Sequence, residues 1–192
     1  REVVIASGSF VAREEVLVAH YNIRNPSYLD KLAELHARGV KVRVVVDEKN
    51  ARNEWNVGDD RLEELGIDLS RASSARGGLM HLKVTVIDRK WAMTGSFNWN
   101  ETASLANDEN MLVLADPGVV DVYRNHTLDL LDRASSRIER VDDPSVHLSF
   151  VPEESAEREV ILRVAAAART VDVAMFTFTN RPASEALVAA AR

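Results

Sequence analysis

A strand–helix–strand run in the first third of the chain constrains the fold most. Residues 16–23 predict a strand, and Asn25 followed by Pro26 predicts the start of a helix that ends at Gly39. Residues 40–47, VKVRVVVD, are β-branched and almost continuously apolar, which is typical of a buried central strand. Strand, helix and strand in this order predict a parallel pair joined by a right-handed crossover.

The rest of the chain continues to alternate between strand and helix signals. Strands are predicted at 3–6, 67–72, 82–87, 91–94 and 110–114, the last of them buried, and helices at 59–65, from 116 to about 134, and at 157–167. The sequence therefore predicts an α/β fold, with a mixed β-sheet flanked by helices on both faces.

Composition narrows the function only slightly. The formal net charge of −6 over 192 residues argues weakly against a broad nucleic-acid-binding surface, which is normally basic. The absence of cysteine excludes disulfides and thiol chemistry, and no apolar run is long enough to span a bilayer. Cytoplasmic and membrane-peripheral locations both stay open. Five basic residues near the centre of the sequence are either simply solvated or steer phosphate: Arg71, Arg76, Lys83, Arg89 and Lys90.

The chemistry-bearing residues are concentrated in residues 81–110. In a strand at 82–87, His81 and Lys83 point to the same side because they are two residues apart. Residues 88–90 are polar and are predicted to turn the chain. The return strand then brings Gly95 and Ser96 back toward His81.

These side chains suit a phosphodiester. A neutral imidazole at His81 can attack phosphorus, while Lys83 and Asn98 can hold the non-bridging oxygens as charge develops. Gly95 allows the backbone to approach a ligand closely, and Ser96 offers a short polar group. Trp99 is interpreted equally well as a stacking surface for a base or lipid tail and as a packing residue.

The spacing of these residues resembles a known signature. His81-x-Lys83-x4-Asp88-x6-Gly95-Ser96-x-Asn98 is similar to the complete HKD motif of the phospholipase D superfamily. The segment that follows, residues 107–110 (NDEN), resembles the N-x-E-N continuation of the nuclease and mitochondrial cardiolipin hydrolase branch.

The resemblance implies a role for each motif residue. His81 would be the nucleophile or its general-acid partner, Lys83 and Asn98 would bind phosphate, and Ser96 would support that pocket. Glu109, with Asp108 as the alternative, would hold the imidazole through its second nitrogen. Asp88 would be structural. No metal or other cofactor is expected, since lysine supplies the positive charge and the five histidines lack the spacing of a metal site.

The sequence also repeats itself weakly. Residues 171–176 are similar to residues 16–21, and Asn180 falls on Asn25 at the same offset, although two generic strand–helix units would give a comparable match. We therefore predict a phospholipase D-like domain at 1–140, a linker within 135–144, and the beginning of a second similar half, with its own strand at 171–176, at 146–192. The resemblance implies a second motif, which would lie beyond Arg192 or on a homodimer partner.

The resulting functional prediction is a metal-independent phosphodiesterase that cleaves a phospholipid or nucleic-acid phosphodiester through a phosphohistidine intermediate. Because one histidine cannot be nucleophile and acid simultaneously, the monomeric chain is expected to lack a complete site. Two alternatives stay open: a phosphatidyltransferase similar to cardiolipin synthases, and a non-catalytic module that binds phosphate or a partner.

Overall fold

The computed structural model describes residues 11–53, 57–74, 76–132, 141, 146–152 and 155–191. Six strands form one mixed sheet: β1 (Glu15–His20), β2 (Lys41–Asp47), β3 (Asp68–Ala72), β4 (Lys83–Ile87), β5 (Trp91–Gly95) and β6 (Met111–Leu114). Their order across the sheet is β3-β2-β1-β4-β5-β6. β1, β2 and β3 are parallel, whereas β4, β5 and β6 join by antiparallel pairing.

The described residues also contain seven helices: α1 (Pro26–Ala37), α2 (Glu48–Ala51), α3 (Val57–Glu64), α4 (Glu101–Leu105), α5 (Pro117–Asp132), α6 (Ala156–Ala165) and α7 (Arg181–Ala190). The short helices α2 and α4 were not predicted. Each begins after a side-chain cap, from Asp47 and Asn100 respectively, and is too short for hydrophobic periodicity to reveal it.

The β1–α1–β2 unit forms as the sequence predicts. The Asn25 side chain accepts a hydrogen bond from the Ser27 N–H at 3.0 Å, which caps α1. The helix ends before Gly39, whose φ of +84° suits a residue without a side chain. β1 and β2 then pair in parallel.

Helices cover both faces of the sheet, as predicted. On one face, here called the α1 face, Leu29, Leu32 and Leu35 of α1 pack against alternate residues of β1 and β2. On the other face α5 packs through Val120 and Leu131. Because both faces are buried, β1 and the end of β2 are apolar with little alternation.

One edge of the sheet collects an end of each of the six strands, and we call it the site edge. Four strands finish there: β1 at His20, β2 at Asp47, β3 at Ala72 and β5 at Gly95. β4 and β6 begin there, at Lys83 and Met111. The motif residues Lys83 and Gly95 therefore lie at this edge, whereas Asp88, the last polar residue of the first half of the motif, lies at the other.

Asp88 anchors the opposite edge of the sheet. Its buried carboxylate accepts backbone N–H groups of Arg13 (2.9 Å), Glu14 (2.9 Å) and Glu15 (3.0 Å), which fixes the start of β1 against the end of β4. Burial alone would raise the pKa of Asp88, but the three N–H groups outweigh it and lower the pKa. Asp88 and Arg89 adopt φ values of +51° and +55° in the predicted turn.

Two sequence predictions were wrong. β6 is an exposed edge strand rather than a buried one, because β5 alone among the described strands pairs with it. Residues 171–176 do not form a strand, because no described segment pairs with them. The structure also decides between the two roles left open for Arg89 and Lys90. They lie at the opposite edge of the sheet from the motif histidine, separated from it by the full length of β4, roughly 16 Å, which favours simple solvation.

The chain divides into two compact units, residues 1–146 and 147–192. The second contains α6 and α7, and the Asn180 side chain caps α7 by accepting the Ala183 N–H at 2.8 Å, as Asn25 caps α1. Its assignment as a second phospholipase D-like half stays a prediction. The predicted strand at 3–6 lies outside the described residues, as does the linker at 135–144 apart from residue 141. None of the described helices has the length and apolar character needed to cross a membrane.

We predict that Asp88→Asn lowers the free energy of unfolding at pH 7 by about 1–3 kcal/mol, because an NH₂ donor replaces one carboxylate acceptor opposite backbone N–H groups. The carboxylate contributes fully above the unfolded-state pKa of about 3.8, and its contribution is lost as pH falls through the lower folded-state pKa. Urea unfolding at pH 7 and pH 3 measures both effects. Asp108→Asn, in an exposed loop, is the control. Equal stability of the Asp88 variant and wild type at pH 7 would contradict the anchoring role.

Candidate active site

The centre of the site is the contact between Lys83 and His81. Lys83 Nζ lies 3.0 Å from His81 Nδ1 and 3.1 Å from Nε2, so it faces the ring edge that carries both nitrogens. It also donates to the His81 carbonyl oxygen at 2.8 Å. His81 lies two residues before β4 and is exposed, whereas Lys83 is the buried first residue of the strand. The predicted pairing of imidazole and ammonium is therefore present.

Lys83 is a buried amine. Lys83 is only 7% exposed, and its Nζ lies 5.6 Å from the centre of the Tyr21 ring, within cation–π range. Burial lowers the pKa of Lys83 to about 8, and the negative charge of Glu109 partly opposes this effect. The amine is thus mostly charged at pH 7 and poorly solvated, so an anion is a favourable partner for it.

His81 is held in its neutral form. Partial burial of the ring lowers its pKa, the charge of Lys83 lowers it further, and Asp47 acts in the opposite direction. The ring packs at 4.7 Å against the Tyr21 ring. A neutral imidazole keeps a lone pair on one nitrogen, which is what nucleophilic attack requires.

Asp47 fixes the backbone just before the histidine, a role that sequence reasoning missed. Its fully buried carboxylate accepts the Met80 N–H at 2.8 Å and the Asn50 N–H at 2.7 Å. The loop that carries His81 is thereby bound to the end of β2. The only available signal was an acidic residue at the end of a buried strand, which is also a common helix cap.

Ser96 connects the end of β5 to the segment before β6. Its hydroxyl donates to Glu109 and accepts the Asn110 N–H at 3.0 Å. The Asn110 side chain donates to the same hydroxyl at 3.3 Å, and Glu109 also accepts from the Asn107 amide at 3.1 Å. These contacts hold the Glu109 carboxylate in place near Lys83.

Glu109 does not hydrogen-bond to His81 in the described part of the chain. Its two oxygens are directed to Ser96 and Asn107, although its charge still raises the pKa of Lys83. Asp108, the alternative acid, is exposed. The role of Glu109 in orienting the imidazole therefore stays a prediction.

Gly95 is required by the protein backbone rather than by a ligand. Its φ is +151°, and a Cβ at this position would lie 2.2 Å from the carbonyl oxygen of Asn110. Any larger residue would displace the segment that carries Glu109.

Asn98 presents an unused polar group. Its buried Oδ1 has no hydrogen-bond partner among the described residues. The oxygen and nitrogen of an amide exchange positions when the group rotates by 180°, so the same position can hold the Nδ2 donor. A buried amide without a partner is a group that a bound ligand can satisfy.

His20 and Trp99 line the inner side of the site. His20 pairs with Lys83 across β1 and β4, and burial, then the charge of Lys83, lower its pKa to about 3. Its ring packs on Trp99 at 4.4 Å, and Trp99 stacks on Tyr28 at 4.6 Å. Trp99 thus packs on two rings of the protein, and His20 is an uncharged neighbour of Lys83 that sequence reasoning did not identify.

Comparison with known proteins agrees with this geometry. Residues 11–130 match the family model described as "Cardiolipin synthase, PLD-like domain". Among curated relatives, the mitochondrial cardiolipin hydrolase of Chlamydomonas reinhardtii is 33% identical over 112 residues, covering 58% of this chain and 49% of that protein. The phospholipase D of Rickettsia bellii is 32% identical over 129 residues, covering 65% of this chain and 60% of that protein. The matched region thus spans only about half of these relatives' length.

The fold is also similar to a solved structure. Nuc from Salmonella typhimurium, a phospholipase D family member, superposes with a TM-score of 0.60 at 24% identity, covering 67% of this chain and 85% of that one. At that identity the likeness concerns the fold alone. The family match, in contrast, covers more than half of the chain and includes every HKD residue. The chain belongs to the family of phospholipase D-like domains.

Proposed function

We propose that this chain supplies one half of the active site of a phosphodiesterase that uses His81 as its nucleophile. The contact between Lys83 Nζ and the neutral His81 ring carries the proposal, because it places a cation beside an unprotonated nitrogen. The relatives named mitochondrial cardiolipin hydrolase and phospholipase D support the reaction class.

The reaction proceeds by two displacements. A ring nitrogen of His81 attacks phosphorus, the bond from phosphorus to the leaving oxygen breaks, and a second motif histidine protonates that oxygen. Water then attacks the phosphohistidine, the second histidine accepts a water proton, and the phosphorus–nitrogen bond breaks. Lys83 and Asn98 bind the non-bridging oxygens in both steps, where negative charge accumulates. No metal is needed for this charge stabilisation.

The second histidine must come from outside the site described above. His20 is adjacent, but it is 3% exposed and has a pKa of about 3, so it carries no transferable proton near neutral pH. The donor is a second HKD motif, supplied by a further half of the same polypeptide or by a second copy of the chain.

A transferase is the second candidate, because the matching family description names cardiolipin synthase. In that reaction an alcohol replaces water in the second displacement. Added glycerol would divert the product to a glycerol ester in a transferase and leave it unchanged in a strict hydrolase.

We predict that His81→Asn lowers hydrolysis of bis(4-nitrophenyl) phosphate by roughly 10³-fold or more, since the nucleophile is lost. Wild-type activity should persist with EDTA present. Release of 4-nitrophenolate is the measurement, and His36→Asn, on the exposed side of α1, is the matched control. Both variants are assayed in a form that brings two motifs together, either the dimer or a longer polypeptide. Unchanged turnover in the His81 variant would refute the nucleophile assignment, and a wild-type protein with both motifs that binds phosphate without turnover would indicate a binding module.

We predict that the 192-residue chain shows little turnover as a monomer. If two copies complete the site, specific activity rises with protein concentration in parallel with dimer formation in analytical ultracentrifugation. If a second half of the polypeptide completes it, a longer polypeptide that contains both motifs is active as a monomer. Strong turnover by monomeric 192-residue chains would show that one motif suffices.

We predict that phosphate binding weakens as pH rises through about 8, because Lys83 loses its charge there. Glu109→Gln should lower the pKa of Lys83 further, since the Glu109 charge favours the ammonium form. NMR titration of the Lys83 side chain measures the pKa, and Asp108→Asn is the neighbouring control. A pKa near 10.5 in wild type would mean that the amine is solvated.

A further inference from the structure

An apolar cavity lies on the α1 face of the sheet, lined by the two residues that flank Asn98 in sequence, Phe97 and Trp99. Its volume is about 140 Å³, and its walls are formed by three aromatic and two methionine side chains: Tyr28, Met93, Phe97, Trp99 and Met111. Met111, at the start of β6, is 43% exposed and borders the opening. The reaction proposed above makes no use of this cavity.

The cavity shares one wall with the site. Glu109 and Asn110 line it, and both also hydrogen-bond to Ser96. The charge of Glu109 reaches Lys83, and Trp99 packs on His20, which pairs with Lys83. This shared wall is the basis for placing the phosphate of a substrate at Lys83 and an adjoining group in the cavity.

Several of the polar groups along the cavity already have hydrogen-bond partners within the protein. Ser96 and Asn107 bind the Glu109 carboxylate, Ser96 binds the Asn110 amide, and Ser104 binds the Tyr28 hydroxyl. A nucleobase buried against these aromatic and methionine side chains would lose hydrogen bonds to water and could replace only the few that Glu109 and Asn110 offer, which is costly. A hydrocarbon group has no such requirement, and it gains from leaving water.

The size of the cavity suits a small apolar group. A cavity of roughly 150 Å³ with apolar walls accommodates a benzene ring. We infer that this cavity is a subsite for the hydrocarbon portion of a lipid-type phosphodiester, with the phosphate at Lys83 and the first carbons of the chain between Trp99 and Met111. This inference rests on the proposed function, because it takes the phosphate site as given.

The test compares the binding of methyl phosphate and hexyl phosphate to the 192-residue chain by isothermal titration calorimetry. We expect hexyl phosphate to bind at least tenfold more tightly. Met111→Trp fills the cavity and should reduce this ratio to about one. Leu112→Trp adds the same bulk to the neighbouring residue of β6, which is 57% exposed and outside the cavity, and should preserve the ratio. Met111→Ala, which enlarges the cavity, should shift the preference toward octyl phosphate.

The outcomes separate this inference from the proposed function. Lys83→Met should weaken the binding of both phosphates. A ratio near one in wild type, with binding still dependent on Lys83, would overturn the subsite and leave the phosphate site intact. A Met111-dependent preference for hexyl phosphate that ignores Lys83 would support an apolar site but overturn its link to the phosphate. Tighter binding of uridine monophosphate than hexyl phosphate, lost in Met111→Trp, would reassign the cavity to a base.

Discussion

The burial of one charged amine organises the site. Lys83 is the first residue of β4 and is buried, so its ammonium group has lost most of its water and depends on the groups around it. Glu109 favours its charge from one side, the Tyr21 ring contacts it, and His20 stays uncharged across the strand. The amine therefore keeps a pKa near neutrality and retains capacity to bind an anion.

Two aspartates at opposite edges of the sheet hold this arrangement through the backbone. Asp47 binds the Met80 N–H and so fixes the loop before His81, whereas Asp88 binds the start of β1. Neither carboxylate contacts Lys83 in the described structure. Their role is to fix the ends of the strands, so that the side chains at the site edge are held close together with little backbone motion. Asp88 is part of the HKD motif in the sequence, but in the structure it binds the backbone at the start of β1, away from the site edge.

Local patterns predicted most of the fold, because the strands and α1 carry strong apolar and capping signals. The contact between His81 and Lys83 also followed from spacing alone. The predictions that failed concerned features set by the neighbouring strands, and the order of strands in a sheet cannot be read from the sequence. The apolar residues of β6 suggested burial, but only β5 lies beside them. Asp47 and His20 were not identified because their roles arise across strands. Basic residues that are close together in sequence lie at opposite edges of the sheet: Lys83 is at the start of β4, and Arg89 and Lys90 follow its end.

The turn after β4 carries a consequence for engineering. Type I′ turns favour Asn-Gly because both central residues have positive φ, and design by turn statistics would place Asn-Gly at positions 88 and 89. Glycine in place of Arg89 would relieve backbone strain. Asparagine in place of Asp88 would discard the carboxylate that binds three N–H groups of a distant segment. The two substitutions thus have opposite effects on stability. A stabilised variant of this domain would carry Arg89→Gly and keep Asp88.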